Sequence, residues 1–246
     1  MENPVWNGWD VLLVVGLAIM TILVTQLAIL FGAQYFLYRH ASLADLAQRP
    51  ILLLISQFVI DGAVAVFLFL LVEGKYHVPF WNAIRWNWPR SEWRLLAVGA
   101  IMLLGLSMVE SFLPMPKETP FEKLFMRPRD AYLLAIIAVS LGPLVEELFF
   151  RGFFYPVLAR RWGAAWGIFL TALPFAAMHM PQYGYAWGAL LVILAVGIVC
   201  GIVRAVTHSV GASFLVHVGY NGTQMIIALV ATHGFRHLEN ASISLG

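Results

Sequence analysis

Seven long apolar runs, separated by short polar connections, constrain the fold of this chain more than any other feature. Each run is close to the roughly 20 residues that an α-helix needs to cross the hydrocarbon core of a bilayer. Of the 246 residues, 61% are hydrophobic and only 11% are charged, whereas about a quarter of the residues in a soluble domain carry charge. The sequence therefore predicts an all-α fold: a polytopic membrane bundle of seven to eight transmembrane helices in a single integral membrane domain over residues 1–246. The runs cover residues 11–36, 51–72, 95–112, 131–158, 164–180, 186–203 and 209–232.

The rest of the composition excludes several classes of protein. A net charge of +2 gives no reason to expect a nucleic-acid partner, so the lipid bilayer is the partner that the composition predicts. The single cysteine, Cys200, allows neither a disulfide framework nor a cysteine metal cluster. The first apolar run lacks a preceding basic segment and is longer than a signal-peptide core, so we expect it to be retained as a span. Lys and Arg divide equally between the two faces, so they do not set the orientation.

Two other features of the sequence carry structural expectations. Asp61 lies near the middle of the second run, where a hydrogen bond within the protein is a more common explanation than chemistry. After the third run, Thr119 and Glu122 form a capping box around Pro120, and Phe121, Leu124 and Phe125 follow on one helical face. This pattern predicts a short amphipathic helix at the membrane surface.

The stretch from Leu141 to Gly152, LGPLVEELFFRG, places three ionisable groups inside an apolar run. Glu146, Glu147 and Arg151 fall within six residues of one another. A charged side chain near the centre of a membrane helix costs about 2.5 to 3.5 kcal/mol on insertion scales. These three residues therefore indicate a functional site.

Helix arithmetic tests whether other polar residues lie at the same depth. Glu146 is twelve residues before the end of the fourth run, His179 is near the end of the fifth, and His217 and Asn221 are eight and twelve residues into the seventh. At about 1.5 Å per residue, their depths from one membrane face are roughly 18, 24, 12 and 18 Å, respectively. The four side chains are therefore predicted to occupy one layer.

The directions in which these side chains point predict different roles for them. His217 and Asn221 are four residues apart and share one helix face, whereas Glu146 and Glu147 point about 100° apart. Glu147 is four residues before Arg151, which is the favourable order for an ion pair. That pairing leaves Glu146 as the freer carboxylate, suited to take a proton from water.

The chemistry that fits this set is hydrolysis of an acyl bond. We expect Glu146, helped by His179, to deprotonate a water that attacks a peptide carbonyl, and His217 and Asn221 to donate hydrogen bonds to the oxyanion. The sequence contains neither a His-Glu-x-x-His pair nor a Gly-x-Ser-x-Gly elbow. Zinc held by the two histidines and two glutamates is a minor alternative, because Asn221 is a poor zinc ligand. We therefore expect no metal and no other cofactor.

Three spaced motifs carry a family resemblance. Glu146-Glu147-x-x-x-Arg151, Phe175-x-x-x-His179 and His217-x-x-x-Asn221 occur in the order of the motifs of the CAAX protease and bacteriocin-processing (CPBP, Abi) family. The chain therefore resembles that family, which includes the Ras-converting CAAX prenyl endopeptidase. The resemblance covers about residues 131–221, and we expect the catalytic core at about 131–235.

The resemblance implies an intramembrane glutamate-type endopeptidase that acts without a metal. By position, the catalytic groups are Glu146, His179, His217 and Asn221. The resemblance assigns supporting roles to Glu147, Arg151 and Phe175. It also implies, as the substrate, a prenylated CaaX protein or another membrane-associated peptide, cleaved near its C-terminus, and as the location the plasma membrane of a prokaryote.

Two alternatives remain open at this point. A non-proteolytic scaffold or bacteriocin-immunity protein could keep this fold without using the site. A transporter would also bury carboxylates and histidines, but the sequence shows no internal repeat of the kind that many transporters have.

Overall fold

The computed structural model describes residues 2–116, 119–120, 122–125 and 128–236. These residues contain helices and no strand, which confirms the predicted all-α class. By their internal contacts they divide into two compact units, one formed by Trp6–His77 and the other by the ranges 1–5 and 78–246. The prediction of a single integral domain stays a prediction.

The unit Trp6–His77 is a helical hairpin with a short connecting helix. It consists of α1 (Gly8–Phe36), α2 (Leu43–Ala47) and α3 (Pro50–Phe69), which continues into a π-helical turn, Leu70–Lys75. The carboxylate of Asp10, in the first turn of α1, accepts hydrogen bonds from Lys75 Nζ at 2.5 Å and from the Tyr76 hydroxyl at 2.6 Å. These contacts join the start of α1 to the end of α3.

Asp61 is buried in α3 and accepts a hydrogen bond from Gln57 Nε2 at 2.7 Å. This partner lies one turn earlier in α3 itself, and the structural role of Asp61 stays a prediction.

The other unit contains the long helices of the second half of the chain. It begins with the one-turn α4 (Phe80–Ala83) and α5 (Glu92–Glu110). The helices that follow are α6 (Pro128–Val139), α7 (Leu141–Glu147), a π-helical turn (Leu148–Phe154), α8 (Tyr155–Met178), a 3₁₀ turn (Met180–Tyr183), α9 (Trp187–Thr207) and α10 (Val210–Ala231).

The amphipathic surface helix predicted after the third run lies only partly within the described residues. The described backbone there forms a 3₁₀ turn, Glu122–Phe125, and Phe125 is buried. Phe121, which belongs to the predicted apolar face, lies outside the described residues. The surface helix therefore stays a prediction.

Six helical segments of the described chain are long and apolar enough to cross a membrane. One of them, Pro128–Met178, has 51 residues and would extend about 76 Å as a single helix, far more than one bilayer. Gly163 interrupts it with φ 83° and ψ 166°, a conformation open mainly to glycine. A Cβ added at Gly167 would lie 2.9 Å from Ala159, so the chain reverses at Gly163 and its two arms pack together. This reversal yields the two crossings predicted at 131–158 and 164–180 and a bundle of about seven spans.

Close backbone contact between α5 and α10 fixes the helix that carries the third motif. A methyl group added at Gly99 of α5 would overlap the Val216 carbonyl oxygen of α10. A methyl group at Gly219 of α10 would likewise overlap the Leu96 carbonyl oxygen of α5. Small residues allow this approach where apolar burial does not drive helices together. The rigid placement of α10 sets the position of His217 and Asn221.

Candidate active site

The structure brings one side chain from each of the three motifs to a common point. Glu146 comes from α7, His179 directly follows α8, and His217 comes from α10. His179 Nε2 lies 3.8 Å from Glu146 Oε1, and His217 Nε2 lies 3.8 Å from Glu146 Oε2. The side chains of Glu146 and His179 are 19% and 15% exposed, so this point is accessible, whereas His217 is buried.

A wide turn in the backbone presents the first motif. The chain leaves α7 at Glu147 and continues through the π-helical turn Leu148–Phe154. Such turns are rare and occur frequently at functional sites. Within it, Arg151 Nη1 donates to Glu147 Oε1 at 2.9 Å, so the ion pair that the four-residue spacing predicted is present.

Glu147 is fully buried, and three donors surround its carboxylate. Besides Arg151, it accepts from the Ser213 hydroxyl at 2.5 Å and from His217 Nδ1 at 3.0 Å. Arg151, 1% exposed, also donates from Nη2 to the Gly197 carbonyl at 2.9 Å. Further hydrogen bonds offset the cost of burying an ion pair, and here Glu147 gains two and Arg151 gains the Gly197 carbonyl, while Arg151 Nε has no partner among the described residues. The carboxylate of Glu147 therefore bonds only to groups inside the protein.

The hydrogen bonds of the two histidines fix which nitrogen faces Glu146. His179 Nδ1 is 2.8 Å from the Phe175 carbonyl oxygen, which can only accept, so Nδ1 carries the proton. His217 Nδ1 faces the Glu147 carboxylate at 3.0 Å and carries a proton for the same reason. Each ring is thus held by Nδ1 and directs Nε2 toward Glu146. The 3.8 Å separations exceed a direct hydrogen bond and suit one bridging group.

Phe175 packs against Arg151, His179 and His217. Its ring centroid lies 4.9 Å from that of His179 and 5.9 Å from that of His217. The Arg151 guanidinium carbon is 4.4 Å from the same centroid, within the range of a cation–π contact. Phe175 is 1% exposed, so its contacts hold the second motif against the first and third.

Asn221 contacts a different helix from the other motif residues. Its Nδ2 donates to the carbonyl of Ala138 in α6 at 2.8 Å. This bond uses one of the two N–H groups of the amide. The predicted oxyanion role of Asn221 therefore depends on its second N–H.

The described residues contain one group of possible metal ligands, Glu147, Cys200 and His217, whose ligand atoms lie within 4.8 Å of one another. This donor set fits a cation poorly. Glu147 Oε1 already faces the positive charge of Arg151 at 2.9 Å, and Glu147 Oε2 accepts from Ser213. Glu146 and His179, which face the accessible side, are not in the group.

Ser213 contacts the site, although sequence reasoning did not single it out. Its hydroxyl is buried between Glu147 and the Cys200 carbonyl. The signal that could have found it is spacing, because Ser213 lies four residues before His217 and so shares its helix face. Cys200 and Gly197 contribute only backbone carbonyls to the hydrogen bonds of the site, and no side-chain pattern in a sequence reveals such contacts.

Comparison with known proteins bears on this region of the chain. Residues 128–223 match the family model described as type II CAAX prenyl endopeptidase Rce1-like. Comparison with curated proteins and with solved structures gave no match. The matched range contains every residue of the three motifs. Over residues 128–223 the chain is therefore similar to the Rce1-like family of type II CAAX prenyl endopeptidases.

Proposed function

We propose that this protein is an intramembrane endopeptidase that hydrolyses a peptide bond near the C-terminus of a prenylated CaaX protein or peptide. Six helical segments of the described chain are long and apolar enough to cross a membrane, and the family-model match over residues 128–223 supports a peptidase domain within them. The observation that carries the proposal is the position of Glu146, whose two carboxylate oxygens each face a histidine Nε2 at 3.8 Å.

Water activation follows from the orientation of His179. With Nδ1–H bonded to the Phe175 carbonyl, the neutral ring presents a lone pair at Nε2. A water between the two side chains donates one hydrogen to Glu146 Oε1 and the other to His179 Nε2. Its own lone pair then points at the substrate carbonyl carbon. Glu146 takes the proton as the C–O bond forms and delivers it to the leaving amine nitrogen as the C–N bond breaks.

Stabilisation of the oxyanion is assigned to His217 and Asn221. Since Nδ1–H of His217 is bonded to Glu147, Nε2 can donate only when the ring carries both protons. In that state the two carboxylates of Glu146 and Glu147 balance the charges of Arg151 and His217. The second N–H of Asn221 supplies the other donor. Loss of one donor of this kind costs about 10²- to 10³-fold in kcat.

The proposal includes no metal. The one group of possible ligands in the described chain shares its carboxylate with Arg151, and the water-activating residues lie outside it. As further parts of the proposal, the enzyme resides in the plasma membrane of a prokaryote and takes its substrate from the bilayer rather than from nucleic acid.

The test uses protein purified in detergent and two peptides that differ only in a farnesyl group on the CaaX cysteine. We expect cleavage of the prenylated peptide on the C-terminal side of that cysteine and little cleavage of its unmodified counterpart. Glu146→Gln protein from the same preparation controls for contaminating proteases. Folded wild-type protein that cleaves neither peptide would overturn the proposal and favour a non-proteolytic role for the same fold.

A further inference from the structure

We propose that Ser213 is a positioning residue of the active site: it fixes the carboxylate of Glu147, which in turn fixes the ring of His217. This inference rests on the proposed function for its catalytic consequence, but the geometry that it describes can be tested without a substrate.

The contacts of Ser213 make it a donor to Glu147. The hydroxyl oxygen lies 2.5 Å from Glu147 Oε2 and 2.9 Å from the Cys200 carbonyl oxygen, and the residue is fully buried. A hydroxyl has one proton to donate. A carboxylate is the stronger acceptor, and hydrogen bonds to it are shorter than those to neutral groups, in agreement with the two distances.

The donors divide unequally between the two oxygens of Glu147. Oε1 receives both Arg151 Nη1 at 2.9 Å and His217 Nδ1 at 3.0 Å, whereas Oε2 receives Ser213. A carboxylate held only at Oε1 can turn about its terminal C–C bond, because that torsion is broad. Ser213 anchors the second oxygen and so fixes the carboxylate plane. The plane determines where Oε1 lies and hence the direction of the Nδ1–H bond of His217.

A change in the position of the Glu147 carboxylate is passed to Glu146 through the imidazole ring of His217. His217 is rigid between its two nitrogens, so any rotation at Nδ1 moves Nε2, which faces Glu146 Oε2 at 3.8 Å. Ser213 lies one helical turn before His217 in α10, so both contact the same carboxylate from one helix face. Ser213 acts on catalysis through Glu147 and His217.

A matched control exists in the same helix. Ser209, the N-cap of α10, is also buried; its hydroxyl donates to the Asn87 carbonyl at 2.6 Å and accepts from Ala212 N–H at 2.9 Å. It therefore matches Ser213 in residue type, burial and number of polar contacts, but none of its hydrogen bonds reaches Glu147. Ser209→Ala should lower thermal stability through loss of the cap without altering the histidine.

The substrate-independent experiment is ¹⁵N NMR of histidine-labelled protein in detergent. Among the signals of the seven histidines, those of His217 are identified by their disappearance in His217→Asn. Wild type and Ser209→Ala should give one His217 environment with Nδ1 protonated. Ser213→Ala should shift or split the His217 signals through exchange between ring environments. Unchanged His217 signals in Ser213→Ala would overturn the proposal.

Kinetics supplies the second readout once a substrate is cleaved. Ser213→Ala should lower kcat about tenfold or more with KM within about twofold, since a hydrogen bond to a charged group is lost and substrate contacts are kept. Equal losses in Ser213→Ala and Ser209→Ala would reduce Ser213 to a purely structural role. Absence of cleavage by wild type would refute the proposed function alone, because the NMR comparison decides the positioning role without it.

Discussion

Two buried arginines in the same unit of the chain have similar surroundings but reach different neighbours. Arg151 and Arg204 are 1% and 0% exposed and pair with Glu147 at 2.9 Å and Glu2 at 3.1 Å, respectively. Each guanidinium also faces an aromatic ring, Phe175 at 4.4 Å or Tyr155 at 5.4 Å. In the described part of the chain, the Nε atom of both arginines lacks a hydrogen-bond partner. By burial and pairing alone, the two centres are equivalent.

The two centres differ in the further contacts of their carboxylates, Glu147 and Glu2. Glu147 also contacts His217, whose far nitrogen faces the partly exposed Glu146. Glu2 instead contacts Arg85 at 3.0 Å and lies 3.9 Å from His208, an exposed side chain. The first centre connects a buried charge to a group that can meet substrate, whereas the second joins the N-terminal segment to α9. Burial and pairing alone therefore do not separate the two centres; the contact of Glu147 with His217, and through it with Glu146 and His179, does.

The largest effect that separates the centres is expected for Glu147→Gln. The change leaves Arg151 buried without a counter-charge and replaces an acceptor of three hydrogen bonds by an amide with a single acceptor oxygen. We expect a stability loss of about 3 to 5 kcal/mol and a fall in kcat of about 10²-fold or more, since His217, the proposed oxyanion donor, loses its hydrogen bond to Glu147. Thermal unfolding and peptide cleavage in one detergent measure the two quantities. Full activity in folded Glu147→Gln would remove the distinction between the centres.

Glu2→Gln is the matched change at the other centre, with a smaller overall effect. It leaves Arg204 buried beside Arg85 without the carboxylate that both contact. We expect a lower unfolding temperature, with a cost of about 3 kcal/mol, and a kcat/KM within about twofold of wild type. A large loss of kcat/KM at unchanged stability would show that the second centre also serves catalysis.

Expressed as a free energy, the smallest of the three effects is expected for Phe175→Leu. The substitution keeps most of the apolar volume but removes the ring that Arg151, His179 and His217 contact. A cation–π contact contributes about 0.5 to 2 kcal/mol, so we expect a loss of kcat/KM of about tenfold. Tyr155→Leu, which removes the ring beside Arg204, is the control and should leave kcat/KM unchanged in folded protein. Equal kinetic losses in both variants would contradict the comparison.

Much of this arrangement could be predicted from the sequence because it depends on local periodicity. Apolar run length predicted the spans. Four-residue spacing predicted the Glu147–Arg151 pair and the common face of His217 and Asn221 in α10. Depth arithmetic works in a membrane because the bilayer confines each helix to a similar length and direction. Roles in catalysis do not follow from depth and remain predictions.

Contacts between distant segments were beyond sequence reasoning. Glu2 and Arg204 are 202 residues apart, and nothing in the pattern of either segment indicates the other. Ser213 was overlooked because a serine in an apolar helix usually bonds its own backbone.

The most direct test of the central claim, that Glu146 and His179 activate water without a metal, is prenylated-peptide cleavage by wild type, Glu146→Gln and His179→Ala, each with and without a chelator. We expect wild-type cleavage to persist in chelator and both variants to lose about 10²- to 10⁴-fold in kcat while unfolding at the wild-type temperature. Cleavage by Glu146→Gln at the wild-type rate, or wild-type cleavage that chelator abolishes and zinc restores, would contradict the account.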